Sequence, residues 1–96
     1  MRTLNEFKLG GRYKHFCKLD DNHYQILVEV FKDEKSTVFI EVDIFDKELI
    51  SLIDKLKENE LVFIFGHIDR EIIQVNAELS FMDKLLIADK IIRNGN

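Results

Sequence analysis

The chain contains no proline, one cysteine and only four glycines among its 96 residues, and its longest unbroken apolar run, residues 61–65, is five residues. Each scarcity excludes something. Without proline, a low-complexity run or a Gly/Ser linker, nothing marks a domain boundary, and a chain of this length divided in two would leave each half too small to bury a stable core. One domain over residues 1–96 is expected. A five-residue apolar run falls far short of the roughly 20 residues that cross a bilayer, and the N-terminal residues lack a secretory h-region, so the expected location is cytoplasmic. The lone Cys17 has no partner for an internal disulfide and no second cysteine at zinc-site spacing, and it reads as a small core or near-surface residue.

Catalytic chemistry is equally thin. His15, His23 and His67 are scattered, with no ligand spacing toward Cys17 or a carboxylate, and read as surface or turn residues. Gly10 and Gly11 sit inside a strand pattern rather than a phosphate-cradling loop, and suit a bulge or a sharp bend. Ser36, Ser51 and Ser80 lack a nucleophile-elbow context. No enzymatic activity, metal or cofactor is expected.

What is present is a well-distributed apolar complement, 46% of residues, enough to build a core. The formal charge of −4 is unfavourable for a chain that coats a polyanion, but it is unevenly spread. Residues 1–18 hold Arg2, Lys8, Arg12, Lys14 and Lys18 against Glu6 alone, a net +4, which leaves −8 on the remainder.

Periodicity supplies the organisation. Over residues 7–18, Phe7, Leu9, Gly11, Tyr13, His15 and Cys17 alternate with Lys8, Gly10, Arg12, Lys14, Phe16 and Lys18, the period-2 pattern of a half-buried strand with a basic outer face. Asp20, Asp21 and Asn22 are turn residues, after which Tyr24, Ile26, Val28 and Val30 alternate with Gln25, Leu27, Glu29 and Phe31. A charged turn at residues 32–36 leads to a third strand, in which Val38, Ile40, Val42 and Ile44 alternate with Thr37, Phe39, Glu41, Asp43 and Phe45. At Asp46, a good N-cap, the period changes to helical through Leu49, Ile50, Leu52, Ile53 and Leu56, and the spacing predicts about three turns ending near Asn59. Residues 61–65 are apolar on both faces, as in a strand covered by the barrel interior on one side and by a helix or subunit neighbour on the other. The pattern then predicts a break at 66–69, extended chain through Ile72, Ile73, Val75 and Ala77, a turn near residues 79–83 and a last strand over 84–93. Three strands, a helix and two strands predict an all-β domain with one helix: a five-stranded OB-fold barrel with the helix between strands 3 and 4. Closure also removes the edges that an open sheet of this size would expose.

The run from Val38 to Ile68, VFIEVDIFDKELISLIDKLKENELVFIFGHI, resembles the heart of the bacterial single-stranded DNA-binding proteins, with a third strand ending in an aromatic, a helix closing in a polar turn and a fourth strand reading apolar-apolar-x-Gly-x-apolar. Asn5 to Arg12, NEFKLGGR, looks like that family's opening strand, and Leu86 to Ile91, LIADKI, like its closing one. The resemblance implies base-stacking aromatics at Phe31, Phe39 and Phe45, on the face opposite the apolar alternation. It departs from the family in a short loop at residues 32–36 and in lacking, after the last strand, the linker and acidic tail that recruit replication enzymes. In this it resembles the tailless primosomal replication-restart relatives. Lys8, Arg12, Lys14 and Lys18 are expected on one face of the first strand with Lys35 in the following hairpin, a stripe suited to phosphate with Arg12 foremost.

Two functions follow as expectations. One is a single-strand binder serving replication, recombination or mobile-element transfer, in which Phe31, Phe39 and Phe45 stack bases while Arg12, Lys14, Lys8 and Lys35 hold phosphates. The other is a protein-interaction OB domain without nucleic-acid binding, whose Glu29, Glu41 and Asp43 form an acidic sheet face for a basic partner. Both expect self-association as a dimer or tetramer, because so many outward apolar residues exceed what a small monomer covers.

Overall fold

The computed structural model describes residues 5–74, 76–77 and 80–93, and of residues 70–74 and 80–84 the backbone alone. The elements run β1 (Phe7–Asp20), β2 (His23–Asp33), β3 (Ser36–Ile44), α1 (Lys47–Ile53), β4 (Leu61–Gln74) and β5 (Ser80–Arg93). Successive antiparallel pairings, together with one parallel contact between Asp43 of β3 and Ile87 of β5, close the barrel in the order β1-β2-β3-β5-β4. This is the predicted OB architecture, with its helix between β3 and β4.

The alternation read in β2 and β3 is the observed one. Ile26 lies opposite Val42 and Val28 opposite Ile40, and these side chains turn inward. With Ile44, Ile53, Val62 and Ile64 the described residues include seven fully buried aliphatic side chains, Ile26, Val28 and Val42 among them, each worth about 1.5–3 kcal/mol relative to exposure. Tyr13, Leu56, Ala88 and Ile91 complete the core.

β1 is shared between two partners. Residues 7–12 pair with β4 and residues 12–20 with β2, so the strand bends from one side of the barrel to the other. Gly11 stands at that bend, where a Cβ would overlap the Glu29 carbonyl and approach Val28 Cγ1 at 2.8 Å. A register shift between Tyr13 and His15 then places Lys14 in a bulge. One extra residue turns the side chains that follow, as far as Lys18, to the opposite face. The expected single basic stripe is therefore corrected: Lys8 and Arg12 face outward, but Lys18 lies opposite Tyr24 on the inward-facing parity, and Lys18 pairs with Asp21. Beyond the bulge the outward positions are His15 and Cys17, and Cys17 is exposed.

Asp46 caps α1 as expected, accepting from the backbone N–H groups of Glu48 and Leu49 at 2.8 and 3.2 Å. The helix is shorter than the spacing predicts. It stops at Ile53, and tight turns from Lys55 N–H to Leu52 O and Leu56 N–H to Ile53 O carry the buried Leu56 outside it. Asn59 does adopt the left-handed conformation, φ 71°. It serves the entry into β4 instead of the helix end: its N–H donates to Tyr13 O, while Tyr13 N–H donates to Glu60 O at 2.9 Å.

The expected break at residues 66–69 is also corrected. β4 runs unbroken through Gly66, and the irregularity is a register shift opposite it, where Phe65 pairs with Lys90 and Gly66 with Ala88, leaving Asp89 as the extra residue. The predicted turn near 79–83 moves, since β5 already begins at Ser80; Leu79 and Val75 lie outside the described residues. Within residues 61–65 only one face is covered. Val62 and Ile64 are fully buried, whereas Phe63 remains 41% exposed.

Glu60 anchors the far end of β5 through two hydrogen bonds from the Arg93 guanidinium. Those bonds, with that of the Lys57 N–H, hold the Glu60 carboxyl below its usual pKa of 4.5. A depressed carboxyl stabilises the fold above its unfolded pKa, and that contribution disappears as pH falls through the lower folded value. Glu60→Gln is therefore expected to lower the melting temperature at pH 7, and the gap from the parent protein should close as melts are repeated below about pH 4.5. A gap that persists unchanged at acid pH would assign the loss to packing instead.

Candidate nucleic-acid interface

The outer face of the β1-β2-β3 sheet assembles the candidate residues. Cross-strand rows read Arg12, Glu29, Phe39 and then His15, Leu27, Glu41, followed by Cys17, Gln25, Asp43. Phe31 lies opposite Thr37, diagonal to Phe39, and Phe45 follows β3 beside His23. Strand alternation sends these rings outward, and they stay open: Phe31 is 61% exposed, Phe39 56% and Phe45 43%. Phe39 and Phe45 are six residues apart, roughly 20 Å along an extended chain.

The three rings have different surroundings. Arg12 holds its guanidinium carbon 6.0 Å from the Phe31 ring centroid, and its Nη1 donates to Asn59 O at 3.2 Å. The guanidinium is thereby fixed over an aromatic face in a planar, donor-rich form that suits phosphate. Phe45 stacks on the His23 ring, centroids 4.2 Å apart and planes 20° from parallel, so one of its faces is occupied. Phe39 has no ring or cation partner among the described residues.

Sequence reasoning put Asp43 on the open acidic face; the structure corrects this. Asp43 is 3% exposed, His23 Nε2 donates to its Oδ1 at 2.7 Å and Gln25 Nε2 lies 3.5 Å from the same oxygen. Alternation does aim Asp43 outward, but the barrel closes there against β5 and the His23 ring lies over it. The acidic face is therefore two carboxylates, Glu29 and Glu41. His23, expected as a plain turn residue, is the neighbour of Phe45 and Asp43 that the sequence missed, and its one signal is its position at the start of β2, level with the end of β3.

The remaining cations are more dispersed than the sequence suggests. Lys8 faces outward from β1 beside Phe65 of β4. Lys14 donates from Nζ to Asn59 Oδ1, next to the Arg12 contact, so the bulge keeps it near Arg12. Lys35 is exposed in the β2-β3 turn, whose backbone is pinned by Asp33 accepting from Lys35 and Ser36 N–H groups. Those bonds hold the Asp33 carboxyl below its usual value. The same face holds a shallow depression of about 100 Å³, lined by His15, Cys17, Gln25, Ile26, Leu27 and Glu41. Among the described residues no group of three or more His, Cys, Asp or Glu side chains is arranged to hold a metal, and no helix is long and apolar enough to cross a membrane.

A closed five-stranded barrel with this topology and this exposed aromatic sheet face defines an OB-fold domain. No family model and no curated protein matches the chain by sequence. Among solved structures, the chain is similar to the Plasmodium falciparum single-stranded DNA-binding protein in its complex with single-stranded DNA, at a TM-score of 0.72 and 18% identity, covering 99% of this chain and 98% of that one. It is also similar to the mitochondrial single-stranded DNA-binding protein of S. cerevisiae, at a TM-score of 0.75 and 13% identity over 99% of both chains. At these identities the likeness establishes a shared fold over the whole chain.

Proposed function

We propose that this protein binds single-stranded DNA across the outer face of β1, β2 and β3, in the service of replication, recombination or mobile-element transfer. Phe31, Phe39 and Phe45 stack bases, and Arg12, Lys14, Lys8 and Lys35 hold phosphates. The observation that carries this reading is the set of three exposed phenylalanines, two on adjacent strands and one just past the end of β3, with a guanidinium held over one of them. Exposed rings on an open sheet face are expensive to leave in water, and base stacking is a sequence-tolerant use for them. The fold-mates described above add support, one of them having been solved with single-stranded DNA bound.

The same reading includes self-association. Phe63 and Ile92 are exposed on the outer face of β4 and β5, with Leu61 and Phe65 half-buried beside them, and a second copy of the chain would cover this apolar surface in a dimer or tetramer.

The test is a titration of a fluorescent mixed-sequence single strand of about 35 nucleotides, long enough for two or more OB sites, at low and moderate salt. Micromolar or tighter binding that weakens with salt is the expected result. Absence of binding at low salt would remove the single-strand reading. It would favour the second one, a protein-interaction OB domain, for which the specific observation is that Glu29 and Glu41 face outward without a described partner on a chain of net charge −4.

A further inference from the structure

We infer that Glu29 and Glu41 select among bases, so that the strand held on this face is one rich in bases with exocyclic amino groups, cytosine among them, in preference to thymine. The inference rests on the single-strand reading and deepens it by naming the ligand.

Its starting point is a pair of carboxylates set among the stacking rings. Glu29 lies between Arg12 and Phe39 in a cross-strand row, and Glu41 is two residues along β3 from Phe39, on the same face. Arg12 would be the natural partner of Glu29, but its guanidinium goes to Asn59 O and the Phe31 ring instead. Neither carboxylate has a hydrogen bond or ion pair among the described residues. Glu41 also lines the shallow depression on this face, a recess that the edge of a stacked base can enter.

A carboxylate on this face repels phosphate, which orients any bound strand. The backbone is driven to the cations, Arg12 beside Phe31 and Lys35 in the β2-β3 turn, and the bases are turned inward over Glu29 and Glu41. There chemistry discriminates. A carboxylate only accepts hydrogen bonds, and the amino groups of cytosine and adenine donate them. Thymine presents O4 where cytosine presents N4–H₂, and its one donor, N3–H, is flanked by O4 and O2, so a carboxylate that reaches it also faces two carbonyl lone pairs, whereas the cytosine amino group stands at the corner of its edge beside a single acceptor. Stacking is sequence-tolerant, since every base has a π-face, and supplies only a modest preference between the two pyrimidines.

The test compares oligo-dC with oligo-dT of about 20 nucleotides, enough to fill one OB site, by fluorescence anisotropy at the same salt. Equal length and charge cancel the phosphate contribution. The parent protein is expected to bind dC about tenfold more tightly than dT, as suits an acidic side chain reading a cytosine amino group. Glu41→Gln and Glu29→Gln supply an amide that both donates and accepts, and each is expected to bring the ratio down toward unity, chiefly by strengthening dT binding. Equal affinity for the two strands, or a dT preference, in a protein whose binding still weakens with salt and with Phe39→Ala, would overturn base selection and leave single-strand binding standing. Failure to bind either strand at low salt would overturn the single-strand reading, and this inference with it.

Discussion

Gly66→Ala is expected to cost the barrel about 3 kcal/mol, the upper end of the usual overpacking penalty, a fall in melting temperature of about 12 °C or more for a domain of this size. A Cβ at this position would overlap the carbonyl oxygen of Ile87 and come within 2.5 Å of Phe7 Cε2. The first obstacle is backbone held in the β4-β5 ladder, so relief requires the two strands to separate where Gly66 pairs with Ala88. Ordinarily, replacing a glycine of unexceptional φ by alanine stabilises by about 0.4–1 kcal/mol through the unfolded chain. Here the overlap outweighs that gain and fixes the sign. Gly10→Ala is the internal control: its Cβ would meet only the Phe63 ring at 3.2 Å, and a half-exposed ring can move aside. Thermal melts followed by circular dichroism should show a large fall for Gly66→Ala and a small change for Gly10→Ala. Comparable melts for the two would mean that β5 yields easily beside Gly66.

The largest expected effect on binding belongs to Phe39→Ala. Base-aromatic stacking is worth about 1–3 kcal/mol per base, so affinity for single-stranded DNA should fall by between about fivefold and more than a hundredfold. Phe39 is preferred to its neighbours on geometry. Phe31 has Arg12 over its ring and Phe45 has His23 against one face, whereas Phe39 carries no such partner among the described residues. Because the ring is 56% exposed, its loss should barely move the melting temperature, which separates a binding defect from a folding one. An affinity unchanged by Phe39→Ala in a protein that still binds would move the stacking role to another part of the surface.

The face that carries these residues was legible in the sequence because strict alternation in β2 and β3 fixes which side chains share a side. Phe31 and Phe39 fall outside the core by parity alone, and inward Val28, Val42 and Ile44 are fully buried. The N-cap at Asp46 was legible from local chemistry. What escaped were events that depend on a second strand. A bulge adds one residue without changing composition, so the shift at Lys14 that parts Lys18 from Arg12 leaves no trace in the pattern. The bulge at Asp89 similarly lets β4 continue through Gly66 where the alternation itself falters. Asp43 reads as one more outward acid until β5 lies alongside it and His23 comes across from β2.

The division of β1 between β2 and β4 also sets an order of events in time. Pairing with β2 needs only a hairpin at Asp21 and Asn22, a local step, whereas pairing of Phe7 to Arg12 with Gly66 to Leu61 must span β2, β3 and α1. Closing so long a loop is entropically slow compared with forming the hairpins. A nascent chain emerging from the ribosome would therefore carry the β1-β2-β3 meander as an open sheet, its inner row of Ile26, Val28, Val42 and Ile44 unsealed, until β4 had been synthesised and had docked against Gly10 and Gly11.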